Sequence, residues 1–203
     1  MAEAHEAVAR IAEHGRATPD GGAGPRDHGP APQPDDVALA EVMRRREQLG
    51  DEPPRFNIAA NDDAYGYLDA HTDDRHGPGI PLPRVPGRKT VEGRIHGDWP
   101  WHKPENWSFR WSDPSTMNRT VNDYVERNWD RIRDDLALDG GHDGTFDAGH
   151  RVGQGYYNDG MFGVGPRNSH YAETSYVKIR IRLVPDSDPA ESYILTTFPL
   201  GIM

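Results

Sequence analysis

The sequence predicts an α+β fold: one long helix packed on a small antiparallel sheet with a C-terminal hairpin, preceded by a flexible N-terminal segment. Three observations predict this fold. Apolar residues recur at steps of three and four from Asp113 to Leu138, apolar and cationic residues alternate from Thr174 to Val184, and Ser192–Pro199 reads as a returning strand. Because the helix and the hairpin each have one apolar face to bury, we expect the two faces to pack together.

The long helix carries signals for both of its ends. Asp113 can accept hydrogen bonds from the free amides of the first turn, and Pro114 suits the first helical position because it has no N–H to leave unsatisfied. Gly140 and Gly141 then release the chain from the helix. The residues expected on the buried face are Met117, Val121, Tyr124, Val125, Trp129, Ile132 and Leu136.

The length of 203 residues allows one domain of ordinary size and a tail. Residues 1–55 are interpreted as a linker or delivery segment, partly disordered, and residues 65–203 as the domain. Within the tail, residues 18–35 are rich in Pro, Gly and Asp without periodicity and predict no regular structure. A short helix is expected from Asp36 to Leu49, closed by Gly50.

Composition excludes several classes of site. The chain has no cysteine, so it can form neither a disulfide framework nor a thiolate metal site or nucleophile. It shows no apolar leader and no run of eighteen apolar residues, so we expect no cleavable signal and no membrane span. Residues 1–70 hold 7 Arg against 14 Asp and Glu, and the remainder holds 16 Lys and Arg against 19 acids, so the acidity lies mainly at the front.

The regions on either side of the long helix predict less regular structure. Five aromatic residues lie between Trp99 and Trp111 and are expected to cover the helix, with base stacking as the alternative. Residues 140–168 are Gly-rich and predict a long loop with a short strand near Arg151–Gly155. The GxxxxGK[ST] pattern does not occur here, which excludes a P-loop.

The predicted C-terminal hairpin places three cations on one face of one strand. Lys178, Arg180 and Arg182 alternate with apolar residues, so all three side chains share the face opposite the core. Such a row is either an ordinary solvated sheet surface or a stripe that faces phosphates.

Four sequence blocks occur in an order that resembles a known family. They are HTDDRHG (residues 71–77), VEGRI (91–95), SFRWSDPSTMNRTVNDYVERNWDRI (108–132), and YVKIRIRL followed by YILTTFP at the end. Together they resemble the ribonuclease-A-like domain at the C-terminus of bacterial contact-dependent inhibition and other polymorphic toxins. The resemblance covers roughly residues 65–203, through the order of its blocks and not through any one motif.

The resemblance implies a set of site residues. The family's catalytic positions fall on His76, Arg94, Thr196 and Phe198, and Phe198 departs from the family's usual tyrosine. Arg88 competes with Arg94 for the role of the catalytic arginine. The residues expected to bind substrate are His71, Arg88, His170, Lys178, Arg180 and Arg182.

These residue types suit the cleavage of RNA by internal attack. An imidazole can take the proton of the 2′-hydroxyl near neutral pH, an arginine can hold two phosphoryl oxygens, and a threonine hydroxyl can donate to a third. The reaction needs no metal and no cofactor, and the histidine spacings match no zinc site. The resemblance further implies RNA, with tRNA as one candidate, and a cognate immunity protein as partners, and secretion or delivery into a target cell.

Two other functions stay open at the level of sequence. His170, Tyr171 and Glu173 prompt an ADP-ribosyltransferase toxin, although a spaced catalytic glutamate is missing. The tryptophans and the charged helix would also suit a noncatalytic binding domain. Against a ribonuclease stands the net negative charge, which repels RNA unless cations converge on one cleft.

Overall fold

The structure is a computed structural model that describes residues 34–160 and 166–201. The predicted structureless stretch 18–35 lies outside the described residues up to residue 33, and Pro34 already begins a helix. A compact unit spans Asp35–Met203. Residues 36–64 therefore belong to this unit, which begins well before the predicted domain start at residue 65.

Within the described residues, five helices and six strands follow one another in mixed order. The helices are α1 (Pro34–Leu49), α2 (Ile58–Tyr65), α3 (Thr72–His76), α4 (Val91–His96) and α5 (Pro114–Asp139), with a 3₁₀ turn at Gly66–Leu68. The strands are β1 (Trp107–Trp111), β2 (Gly141–Asp147), β3 (Gly153–Asn158), β4 (Ser169–Thr174), β5 (Tyr176–Leu183) and β6 (Ser192–Pro199). None of the helices in the described ranges is long and apolar enough to cross a bilayer.

The α+β prediction is confirmed, with two sheets in place of one. The strands form two antiparallel three-stranded sheets, in the orders β1-β3-β4 and β2-β5-β6. The predicted C-terminal hairpin is β5 and β6. The predicted long Gly-rich loop is wrong at Gly141–Asp147, which forms β2, whereas the short strand expected near Arg151–Gly155 overlaps β3.

Helix α5 packs on the second sheet as its periodicity requires. The carboxylate of Asp113 accepts the N–H of Thr116 at 2.8 Å, and Gly140 ends the helix in the left-handed region at φ +71°. Its buried face meets Val177, Ile179 and Ile181 of β5 in one hydrophobic core. The opposite face of β5, which carries the cations, is therefore turned away from α5.

The predicted aromatic cover over the long helix is wrong for most of its members. Trp111 is fully buried in the core with α5. Trp99 and Trp107 remain 69% and 39% exposed. Trp101 packs instead against cationic side chains near α4.

Helix α3 covers the free edge of β6. The N–H of His71 donates to the carbonyl oxygen of Leu195 at 3.2 Å, and the N–H of Thr197 donates to Oγ1 of Thr72 at 2.9 Å. Trp111 of β1 donates from its indole N–H to the carbonyl oxygen of Thr197 at 3.1 Å. Strand β6 is thus joined both to α3 and to the first sheet, and the candidate site lies at this junction.

Candidate functional site

His76 and Phe198 meet although they are far apart in the sequence. His76 is the last residue of α3, and its buried ring stacks on Phe198 of β6 with centroids 4.6 Å apart and planes 21° from parallel. The backbone hydrogen bonds that hold α3 against β6 fix the position of the histidine. Two of the four predicted catalytic residues are therefore in direct contact.

Thr196 lies two residues before Phe198 and so on the same face of β6. In the register of the sheet, Thr196 pairs with Arg180 and Phe198 pairs with Lys178. The Oγ1 atom of Thr196 is buried and has no hydrogen-bond partner among the described residues. A buried hydroxyl without a partner is costly, so an acceptor on a bound ligand would lower that cost.

The environment of His76 keeps its ring neutral. Burial, with a further contribution from the charge of Arg94, lowers the pKa of His76 to about 3. Nδ1 lies 3.4 Å from the carbonyl oxygen of Phe109, which favours the tautomer that carries its proton on Nδ1. Nε2 is then unprotonated at neutral pH, but a pKa this low makes it a weak base in the free protein.

Of the two competing arginines, Arg94 is the one whose charge acts on His76. It lies on α4, which is capped by Thr90 through a 3.0 Å hydrogen bond from the N–H of Gly93 to Oγ1. Arg88 is exposed on a turn closed by its own N–H and the carbonyl oxygen of Val85, 3.1 Å apart. Arg94, and not Arg88, is thus the one of the two whose charge influences the histidine.

The row of cations on β5 is partly neutralised by a strand that sequence reasoning read as loop. Asp143 of β2 lies 2.8 Å from Arg182 and 3.6 Å from Arg180. Burial alone would raise the pKa of Asp143, but the hydrogen bond from Arg182 and the three cations outweigh it and lower that pKa. Lys178 pairs in register with Phe198 and is the cation on the strand closest to the aromatic stack.

The two remaining predicted histidines lie in different places. His71 occupies the residue before α3, and its Nδ1 lies 2.5 Å from the carbonyl oxygen of Asp69. His170 lies on β4 of the first sheet, where it stacks on Tyr157 at 5.6 Å and lies 2.7 Å from Asp159. The structure therefore keeps His71 on the same helix as His76 and puts His170 among different neighbours.

The residues that prompted the ADP-ribosyltransferase alternative lie on the outer strand β4. Tyr171 donates from its hydroxyl to Glu173 at 3.1 Å, and Arg151 forms a 2.7 Å ion pair with the same carboxylate. Glu173 is thus occupied by two partners on an exposed strand. This arrangement offers less for catalysis than the site around His76.

Sequence reasoning missed three residues that shape the site. Phe109 supplies the carbonyl oxygen beside His76, Trp101 lies under Arg94, and Asp143 pairs with the β5 cations. The usable signal for Trp101 was its place shortly after the capped segment Thr90–Gly97. A backbone carbonyl and a carboxylate from another strand leave no such signal.

The function of this site has to be argued from its own geometry. Within residues 34–160 and 166–201, no group of three or more His, Asp or Glu side chains is placed to hold a metal ion. The case for a function therefore rests on the residues around His76. Comparison with protein-family models, with curated proteins and with solved structures finds no match for this chain.

Proposed function

We propose that the chain is a metal-independent endoribonuclease of the toxin type, which cleaves RNA through attack of a 2′-hydroxyl on the adjacent phosphate. The observation that carries the proposal is the unpartnered hydroxyl of Thr196 on the strand face that also holds Phe198 and its stacked partner His76. A phosphoryl oxygen is the acceptor that would satisfy this hydroxyl. The neutral histidine lies within the same small region of the molecule.

Each residue has a role in this reaction. Nε2 of His76 takes the proton of the 2′-hydroxyl, and the hydroxyl of Thr196 donates to a nonbridging oxygen as negative charge develops there. Arg94 holds the charge of the pentavalent phosphorane, and Lys178 adds a second cation from β5. His71, at the other end of α3, is the group proposed to donate a proton to the departing 5′ oxygen.

As a toxin, the chain would act on RNA in the cytoplasm of a cell into which it is delivered. A cognate immunity protein would protect the producing cell by covering the site. Arg180 and Arg182 flank the site on β5 and would attract RNA weakly, since both lie near Asp143.

The test is cleavage of RNA by the purified full chain in the presence of EDTA. We expect wild-type protein to cleave and His76→Gln to lose at least the ~10²-fold that a general acid–base group contributes. The matched control is His150→Gln, which alters an exposed histidine. Nδ1 of His150 lies 2.9 Å from the carbonyl oxygen of Ala148 in the same loop. Equal rates for the wild type and His76→Gln would contradict the proposal.

A further inference from the structure

A pocket of about 430 Å³ opens between the C-terminal end of α3, helix α4 and residues 100–105. Six charged side chains line it, and four of them are cationic. They are Arg75, Lys89, Arg94, Lys103, Asp74 and Glu105. The chain as a whole has a net charge of −10, whereas the charged residues of this pocket are mainly positive.

Trp101 fixes two of these cations in place. Its indole N–H donates to the carbonyl oxygen of Thr90 at 2.8 Å, which sets the orientation of the ring. The guanidinium carbon of Arg94 lies 4.7 Å from the ring centroid, and Nζ of Lys89 lies 5.0 Å from it. Contacts of this kind favour the cation electrostatically, so the indole holds two positive charges near each other.

The acidic side chains of the pocket do not form close ion pairs with all of its cationic side chains. Asp74 forms a 2.6 Å ion pair with Lys89. Among the described residues, neither Arg94 nor Lys103 forms a side-chain hydrogen bond or a close ion pair, and Arg94 interacts with the charge of Glu105 only at longer range. The guanidinium of Arg94 is half-buried, so its unused N–H groups are available to an anion that enters the pocket.

The pocket adjoins the site at His76. Arg75 directly precedes His76 on α3, and the charges of both Arg75 and Arg94 act on the His76 ring. A chain of phosphates that passes His76 would therefore pass the pocket as well.

We propose that this pocket binds a second phosphate of the RNA strand, adjacent to the phosphate that is cleaved beside His76 and Thr196. This inference rests on the proposed ribonuclease function. Arg94 lies between the two phosphates, and Lys89 and Lys103 supply the charge for the second. The pocket would thereby favour RNA chains over dinucleotides.

The test compares two substrates in one pair of variants. Lys89→Gln with Lys103→Gln removes two pocket charges, whereas Arg119→Gln with Arg127→Gln removes two charges from exposed positions on α5. We expect the pocket variant to lower kcat/KM about tenfold more for an oligoribonucleotide than for a dinucleoside monophosphate, and to flatten the salt dependence for the oligomer. The α5 variant should match the wild type on both substrates. An equal loss on both substrates, or no loss on either, would overturn the inference while the ribonuclease function stood.

A binding measurement separates this inference from the proposed function. Inorganic pyrophosphate is titrated into the full chain and into the two variants by calorimetry in phosphate-free buffer. If the chain cleaves no RNA but the pocket variant alone loses pyrophosphate binding, the pocket is an anion site and its assignment to an RNA phosphate fails with the ribonuclease. If pyrophosphate binds the pocket variant as well as it binds the wild type, the pocket is not an anion site and the inference fails.

Discussion

The hydroxyl of Thr196 is one of two buried threonine hydroxyls that the described fold leaves unbonded. The other belongs to Thr120 on α5, which lines a different pocket together with Tyr124 and Phe146. Removing such a group costs no hydrogen bond, and replacing threonine by valine keeps the shape of the side chain. Variants of the two threonines can therefore be compared: the hydroxyl of Thr196 is proposed to act in RNA cleavage, and the hydroxyl of Thr120 has no proposed role.

We expect Thr196→Val to leave the free energy of unfolding unchanged or higher, because it relieves a buried unsatisfied group. RNA cleavage should fall by about 10²-fold, the loss seen when one donor to a developing oxyanion is removed. Thr120→Val should likewise keep or raise stability and should keep full activity. Denaturant titration and initial cleavage rates measure the two effects, and a fully active Thr196→Val would remove this residue from the site.

The buried ring of His76 makes stability depend on pH in a defined window. Its pKa is about 3 in the folded chain and close to the ordinary ~6.5 when unfolded, so the unfolded state binds more protons between these values. The contribution of His76 is complete above pH ~6.5 and is lost as the pH falls toward 3. We expect the free energy of unfolding to drop by up to ~1.4 kcal/mol per pH unit more in the wild type than in His76→Gln.

Denaturant titrations at pH 6.5 and pH 5 measure this difference. The exposed-site variant His150→Gln should keep the wild-type slope. Identical slopes in the wild type and His76→Gln would mean that His76 titrates normally in the folded protein.

At the scale of elements, the sequence predicts best where one periodic pattern decides the structure. Helix α5 begins and ends within one residue of its prediction, since its apolar stripe and both caps agree. The β5–β6 hairpin was predicted for the same reason. Both elements bury one continuous face, so their apolar residues recur in the sequence at a regular spacing.

Strand β2 was missed, and β3 was predicted only near Arg151–Gly155, because the glycines of both strands are typical of loops. A Cβ at Gly155 would lie 2.1 Å from the carbonyl oxygen of Ser108, and one at Gly144 would lie 2.2 Å from the hydroxyl of Tyr124. Glycine is required there by close approach between neighbours and not by a turn. Composition alone cannot separate these two causes.

The N-terminal cap of α5 gives a prediction at the same scale. Asp113→Ala removes the acceptor for the N–H and the hydroxyl of Thr116, both at 2.8 Å, and should cost about 1 kcal/mol of unfolding free energy. Asp139→Ala, at the opposite end of α5, removes a carboxylate from the negative end of the helix and should cost nothing. Thermal melts at pH 7 compare the two variants, and equal losses would argue against the cap.

At the scale of the whole molecule, residues 35–55 are part of the folded unit. Arg133 of α5, only 5% exposed at its side chain, forms an ion pair with Asp51 and donates to the carbonyl oxygen of Gly50 at 2.7 Å. The indole N–H of Trp129 donates to the same oxygen at 3.1 Å. The sequence could not show this, because the partners are a backbone carbonyl and one acid among many.

A chain that begins at residue 35 should therefore unfold with the same free energy as the full chain, since it holds the entire compact unit. A chain that begins at residue 56 should lose about 3 kcal/mol, because Arg133 and Trp129 lose their partners. Denaturant titration measures both. Equal stability of the two truncated chains would show that residues 35–55 contribute nothing to the fold.

The site itself could be predicted only through the family resemblance, because it joins a helix end, a second short helix and the last strand. No local pattern links His76 to Phe198. The contact depends on two hydrogen bonds to β6, one between backbone groups and one accepted by the hydroxyl of Thr72, and neither pairing can be read from the local sequence.

The most direct measurement is the chemistry of the RNA ends after cleavage by the full chain in EDTA. Attack by the 2′-hydroxyl leaves a 2′,3′-cyclic phosphate on one fragment and a 5′-hydroxyl on the other. The arrangement of His76, Thr196 and Arg94 predicts these ends, formed at the same rate by the wild type and by Thr120→Val and about 10²-fold more slowly by Thr196→Val. Fragments with 3′-hydroxyl and 5′-phosphate ends, or RNA left intact by the wild type, would contradict the assignment of this site.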